Sequence, residues 1–163
     1  MLNFLSDLYY KFKFDIRIYR NVLTEKERVE LKKDSQRYLM DLGEHHPGLQ
    51  TCEYLHELLT FENYVTLNKL LKMIGFVTID MCWSNYSDSN LTKTCWHTHP
   101  VKLTSIYYLE NPERLGTSFR VNGKQFQINV PTNTLMVIPG YIEHNAPSNV
   151  TKPRQCIVID TND

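Results

Sequence analysis

The apolar positions along this chain change their period near residue 75. Before it they recur mostly at helical spacing, and after it they mostly alternate as in strands. Residues 11–19 (KFKFDIRIY) are an early exception and predict a strand leading into the first helix. Thr24 and Glu27 have the spacing of a capping box, in which the hydroxyl and the carboxylate satisfy orphan N–H groups. The helix predicted from it covers 25–42, with Leu31, Tyr38, Leu39 and Leu42 on its buried side and a wholly polar stretch at 32–37. Gly43 ends it, and residues 44–48 read as a loop. A second helix is predicted over 62–74, burying Leu67, Leu70, Leu71 and Ile74 and stopped by Gly75.

From Phe76 onward short β-rich runs follow one another: FVTIDMCWSNY, KLTSIYYLE, TSFRVN, KQFQINV, TLMVIP and QCIVID. Asn122-Gly123 lies between two of them and is a strong hairpin signal, because both residues tolerate positive φ. Six strands so closely spaced predict a sandwich or jelly roll. The chain is thus expected to be mainly β with N-terminal helices. Its 163 residues suit one domain, in which 1–75 buttresses a β core formed by 76–163.

Charge and cysteine content narrow the classes of function. Eighteen basic and eighteen acidic side chains cancel, so no overall field draws the chain to nucleic acid or to an anionic membrane. Cys52, Cys82, Cys95 and Cys156 are widely spaced, with no C-x-x-C pair, which fits reduced thiols better than a disulfide framework. No apolar run is long enough to span a bilayer, and charges come too early in MLNFLSDLYYKFKF for a signal-peptide core. A cytoplasmic location is the expectation.

The candidate chemistry lies in the β-rich half. His97 and His99 are two residues apart, so on a strand their imidazoles share one face. His144 follows the run TLMVIP, and adjacent antiparallel strands can bring it beside the pair. Three imidazoles suit iron, zinc, copper or nickel and leave coordination positions open. Each must be neutral to bind, so affinity should fall below about pH 6. Arg154 opens an otherwise apolar strand ten residues after His144. Pointed inward it needs an anion, and its planar fork suits a carboxylate. Tyr86, Tyr107 and Tyr108 are further hydroxyl donors. Glu143 should face away from His144, leaving no evident carboxylate for the site.

The order of an H-x-[D/H] pair, a P-x-x-x-x-H turn and a later arginine resembles the iron(II)- and 2-oxoglutarate-dependent oxygenases, which are built on a double-stranded β-helix. The likeness runs over about residues 76–160 and is carried by Trp83-Ser84-Asn85-Tyr86, His97-Thr98-His99-Pro100 and Ser105-Ile106-Tyr107-Tyr108-Leu109. It is nearest to a branch with an H-x-H-P motif followed by a Y-Y-L strand. Pro139-Gly140-Tyr141-Ile142-Glu143-His144 is similar to the family's P-S-x-x-x-H turn, with Gly140 in the serine's place. The resemblance implies iron(II) ligated by His97, His99 and His144, and 2-oxoglutarate as cosubstrate. Arg154 would hold its distal carboxylate, with Tyr86 and Tyr108 as hydroxyl partners. No catalytic residue beyond the metal ligands is implied. The chain departs from the family at His99, where most members have an aspartate ligand.

Two other readings compete. One is a three-histidine cupin-like dioxygenase without cosubstrate. Cupins, however, want a glutamate about four residues after H-x-H, and the first here is Glu110. The other is a non-catalytic metal-binding jelly-roll module. The leading reading expects a small-molecule or peptide substrate and neither a nucleic-acid nor a membrane partner. In this type of fold the helical N-terminal region can also serve a homodimer contact. His45, His46 and His56 are expected to be solvated or helical residues rather than ligands.

Overall fold

The runs at 103–110, 134–139 and 154–161 are buried along nearly their whole length, and the structure shows why: they fill the middle of a sheet covered on both sides. This computed structural model describes residues 2–41, 48–75, 78–88, 95–147 and 150–162. In chain order the elements are α1 (Leu2–Phe14), β1 (Arg17–Arg20), α2 (Glu25–Gln36), β2 (Met40–Asp41), β3 (Leu49–Gln50), α3 (Leu55–Leu58) and α4 (Phe61–Ile74). There follow β4 (Met81–Ser87), β5 (Leu103–Glu110), β6 (Thr117–Val121), β7 (Lys124–Ile128), β8 (Thr134–Pro139), β9 (Glu143–Asn145) and β10 (Arg154–Thr161). A seven-stranded sheet has the order β1-β8-β5-β10-β4-β3-β2, and a three-stranded sheet the order β7-β6-β9. All named pairings are antiparallel.

Strand alternation divides the core into two layers. Leu109 and Tyr107 of β5, Leu135 and Val137 of β8, and Ile157 and Ile159 of β10 face outward onto Leu31, Leu55, Leu67, Leu70 and Leu71 of the helices. The alternate positions (Ile106, Tyr108, Met136, Ile138, Cys156) face inward onto Phe119, Ile128 and Ile142 beside the smaller sheet. Each leucine fully buried in the outer layer contributes about 1.5–3 kcal/mol relative to an exposed one. That layer holds the helices against the large sheet and leaves the inner face to build the site.

Several predicted elements form as expected. The capping box is complete, with Thr24 N donating to Glu27 Oε2 at 2.7 Å and Glu27 N to Thr24 Oγ1 at 3.3 Å. The second predicted helix is α4, ended by Gly75 at φ +83°. Asn122 (φ +50°) and Gly123 (φ +73°) make the two-residue turn between β6 and β7.

Others differ. Residues 11–14 belong to α1, and only 17–20 pair as a strand. The reason is local. Tyr10 and Phe14, one helical turn apart, both stack on Phe126, with ring centroids at 5.9 and 4.7 Å. An extended chain would send these two rings to more distant points.

The helix at Glu25 ends at Gln36 rather than at 42. Asp34 and Ser35, in its polar stretch, turn inward as anchors rather than facing water. Asp34 Oδ2 accepts from Thr60 N at 2.8 Å and from Asn63 Nδ2 at 2.9 Å, and so ties α2 to the start of α4. Ser35 Oγ accepts from Gln155 Nε2 of β10 at 2.9 Å. Leu42, Gly43 and the His45-His46 loop lie outside the described residues. The N-terminal region is also more than a helical support, since β1, β2 and β3 extend the large sheet at both edges. Among the described residues no helix is long and apolar enough to cross a membrane.

Candidate metal centre

The three predicted histidines converge because the segment around His97 is pinned on two sides. His97 and His144 exchange backbone hydrogen bonds, N to O, at 3.1 and 2.9 Å, which places the segment beside β9. His99 N donates to Gly140 O at 2.9 Å, and Gly140 N donates to Lys102 O at 3.2 Å. The imidazole centroids then lie 4.5 Å (His97–His144), 5.2 Å (His97–His99) and 5.1 Å (His99–His144) apart. One ring nitrogen from each lies within 4.8 Å of the others.

Their tautomers are set by their neighbours. His97 Nδ1 meets Cys95 O at 2.9 Å, His144 Nδ1 meets Ile142 O at 2.9 Å, and His99 Nδ1 meets Asp160 Oδ2 at 2.7 Å. A carbonyl oxygen only accepts, so each Nδ1 opposite one carries the proton and leaves Nε2 with a free lone pair. His144 is buried and His99 nearly so, while His97 is exposed and marks the open side. Burial pushes the His144 imidazole down to about 4, so it is neutral at neutral pH. These are the conditions an ion requires of its ligands.

A cavity of about 460 Å³ opens beside the three rings. From β10 it is lined by Arg154, Cys156, Val158 and Asp160, the inward alternates of that strand. Arg154 is 5% exposed, and its guanidinium carbon lies 5.2 Å from the centre of the Tyr108 ring. Its Nε is buried without a hydrogen-bond partner, and among the described residues it makes no ion pair. Tyr108 shares a 2.7 Å hydrogen bond with Thr117 Oγ1, and burial pushes its hydroxyl up to about 12, so it remains protonated.

Tyr86 borders this cavity and also a smaller one with Asp41, Leu49 and Asp88. Alternation along β4 puts it on the same face as Ser84, whose hydroxyl meets Gln155 on the helical side; Trp83, Asn85 and Ser87 take the inward positions. Tyr107 turns to the outer layer and donates to Asn133 Oδ1 at 2.9 Å, away from the histidines.

No protein-family model and no curated protein sequence matches this chain. Solved structures match it in shape. AviO1 from Streptomyces viridochromogenes Tue57 superposes with a TM-score of 0.74 at 13% identity, over 98% of this chain and 94% of that one. HygX from Streptomyces hygroscopicus, solved with nickel, 2-oxoglutarate and hygromycin B bound, gives 0.72 at 10% identity, over 94% of this chain and 85% of that one. A 2OG-Fe(II) oxygenase-family oxidoreductase from Burkholderia pseudomallei gives 0.65 at 9% identity, over 96% and 88%. The fold is a double-stranded β-helix. At such identities the likeness is one of chain path, and the residues of the site rest on the geometry above.

Within the double-stranded β-helix, Asp160 is the site residue that sequence reasoning missed. The expectation that no carboxylate serves the site is wrong: Asp160 is fully buried, lines the cavity and touches His99. Its signal was present in the alternation of β10, which gives it the same face as Arg154. Glu143 does point away, toward Arg120 at 3.6 Å.

Gly140 explains another departure. A Cβ there would lie 2.2 Å from Val101 O and 2.8 Å from His99 O, so the serine usual at this place in similar turns has no room. The obstacle is backbone, one atom of it belonging to His99 itself. Gly140→Ala is expected to lose at least about 2 kcal/mol in urea unfolding, within the range of overpacked sites. It should also weaken zinc retention measured by chelator competition. Unchanged stability together with unchanged retention would refute this reading of the turn.

Proposed function

We propose that this chain is an iron(II)- and 2-oxoglutarate-dependent oxygenase, of the branch with an H-x-H-P motif and a Y-Y-L strand. The observation that carries the proposal is a single cavity holding three metal-competent imidazoles and a buried arginine that makes no ion pair among the described residues. A desolvated guanidinium is costly unless an anion meets it. A dicarboxylate supplies that anion at one end and metal-chelating oxygens at the other. A metal-only dioxygenase reading gives Arg154 no duty.

His97, His99 and His144 would hold the iron through Nε2. Iron, when bound, supplies oxygen activation and the oxidative decarboxylation of 2-oxoglutarate to succinate and carbon dioxide. The protein's own part is placement. Arg154 would clamp the distal carboxylate, with the Tyr108 hydroxyl as a protonated neighbour and Tyr86 at the rim. Trp83 stacks on the His99 ring at 5.5 Å and 7° and limits its rotation. The exposed His97 side leaves a route for a small-molecule or peptide substrate.

The test is anaerobic titration of the ferrous protein with 2-oxoglutarate, followed by succinate assay under air. A visible charge-transfer band and iron-dependent succinate are expected. Failure to bind 2-oxoglutarate in the presence of iron would end the proposal.

A further inference from the structure

We infer that Asp160 is the positioning residue that restores to this centre, through His99, the negative charge that an aspartate ligand would have supplied. The inference rests on the three-histidine metal reading and concerns what makes that ligand set workable.

Asp160 is 0% exposed. Oδ2 is 2.7 Å from His99 Nδ1, and Oδ1 accepts from the Thr104 hydroxyl at 2.7 Å. Both oxygens are therefore engaged, yet among the described residues no lysine or arginine pairs with this carboxylate. A buried carboxylate needs a counter-charge. Among the described residues the ring it hydrogen-bonds is one of the three that would bind the ion, and the positive charge it answers is the ion's, delivered through the imidazole.

The other two ligands are treated differently. His97 and His144 donate to the neutral carbonyls of Cys95 and Ile142. Only His99, at the position where an aspartate is usual, is backed by a carboxylate. Three neutral imidazoles leave a divalent ion with its full double charge. Adding Asp160 lowers the total by one, to the same formal charge as two imidazoles and a carboxylate ligand. A carboxylate behind the ring also makes Nε2 a stronger donor and holds the imidazole in register. Trp83, stacked on the ring, packs against its face, and one ring nitrogen of each histidine lies within 4.8 Å of the others.

The experiment compares the parent with Asp160→Asn, which keeps the shape and an acceptor for Nδ1–H but removes the charge. Zinc affinity, read by chelator competition, should fall by about 10- to 100-fold, as for other residues that orient a ligand from behind. The Fe(III)/Fe(II) potential of the iron-loaded protein should move positive, because the ferric state loses a stabilising charge; a purely structural role would not impose that sign. Folded Asp160→Asn with parental affinity and potential would overturn the inference while leaving the metal reading intact. A parent that binds neither zinc nor iron would overturn both. If the variant does not fold, proton NMR of the zinc-loaded parent still decides. The His99 Nδ1–H should lie furthest downfield of the three histidines, and an ordinary position matching His97 and His144 would overturn the inference.

Discussion

Arg154→Met is expected to weaken 2-oxoglutarate binding by between about 30-fold and about 4,000-fold while leaving the metal-free, cosubstrate-free protein as stable as the parent or more so. The first half follows from truncating one partner of a desolvated charge pair, which costs about 2–5 kcal/mol at roughly 1.4 kcal/mol per tenfold. The second half has the opposite sign. Arg154 is 5% exposed at the start of β10, its Nε has no partner, and among the described residues it makes no ion pair. Without a ligand its charge is a burden on the fold, and methionine fills similar space without that burden. Calorimetric titration into metal-loaded protein checks the first half, and thermal melting without cosubstrate checks the second. Unchanged binding would remove Arg154 from the cosubstrate site, and a large fall in melting temperature would mean that the arginine serves the fold.

Metal-free protein is expected to lose about 3 kcal/mol of stability as pH falls from 6.5 to 4, on account of His144. Burial pushes this imidazole down to about 4 in the folded state, against an ordinary value of 6.5. The unfolded chain thus takes up the proton first. The contribution is complete above 6.5 and is lost progressively as pH drops toward the folded value. Other groups titrate in the same window, so the measurement is a difference. Urea unfolding at pH 7.5, 5.5 and 4.5 should show a steeper acid loss for the parent than for His144→Gln. Equal slopes would show that His144 is not held neutral by its surroundings. Saturating zinc should shift the parent's loss to lower pH, because the ion competes with the proton for Nε2.

Much of the fold was legible where side-chain period and burial agree. β5, β8 and β10 are buried along nearly their whole length, and their runs read as strands. Arg154 stood out because a charged group on such a strand needs a reason, and the histidines through their spacing. What stayed hidden depended on distant partners. KFKF alternates like a strand, and the contact that favours the helix is with Phe126, more than a hundred residues away. Asp34 and Ser35 looked like a solvated helix face until Thr60, Asn63 and Gln155 gave them partners. Asp160 closed an apolar run as an ordinary polar end, and its meaning came only with the ring of His99 beside it.

The position of β10 bears on the order in which the protein is made. It lies between β4 and β5, which pair with it rather than with each other. A nascent chain that has emerged only through residue 153 already contains all three histidines. It has, however, no strand to join the two halves of the large sheet, and neither Arg154 nor Asp160. Contacts this far apart in sequence form late and slowly. The site is therefore completed by a late step of folding, and a metal ion that arrives earlier meets the three histidines without Asp160 behind His99 or Arg154 across the cavity.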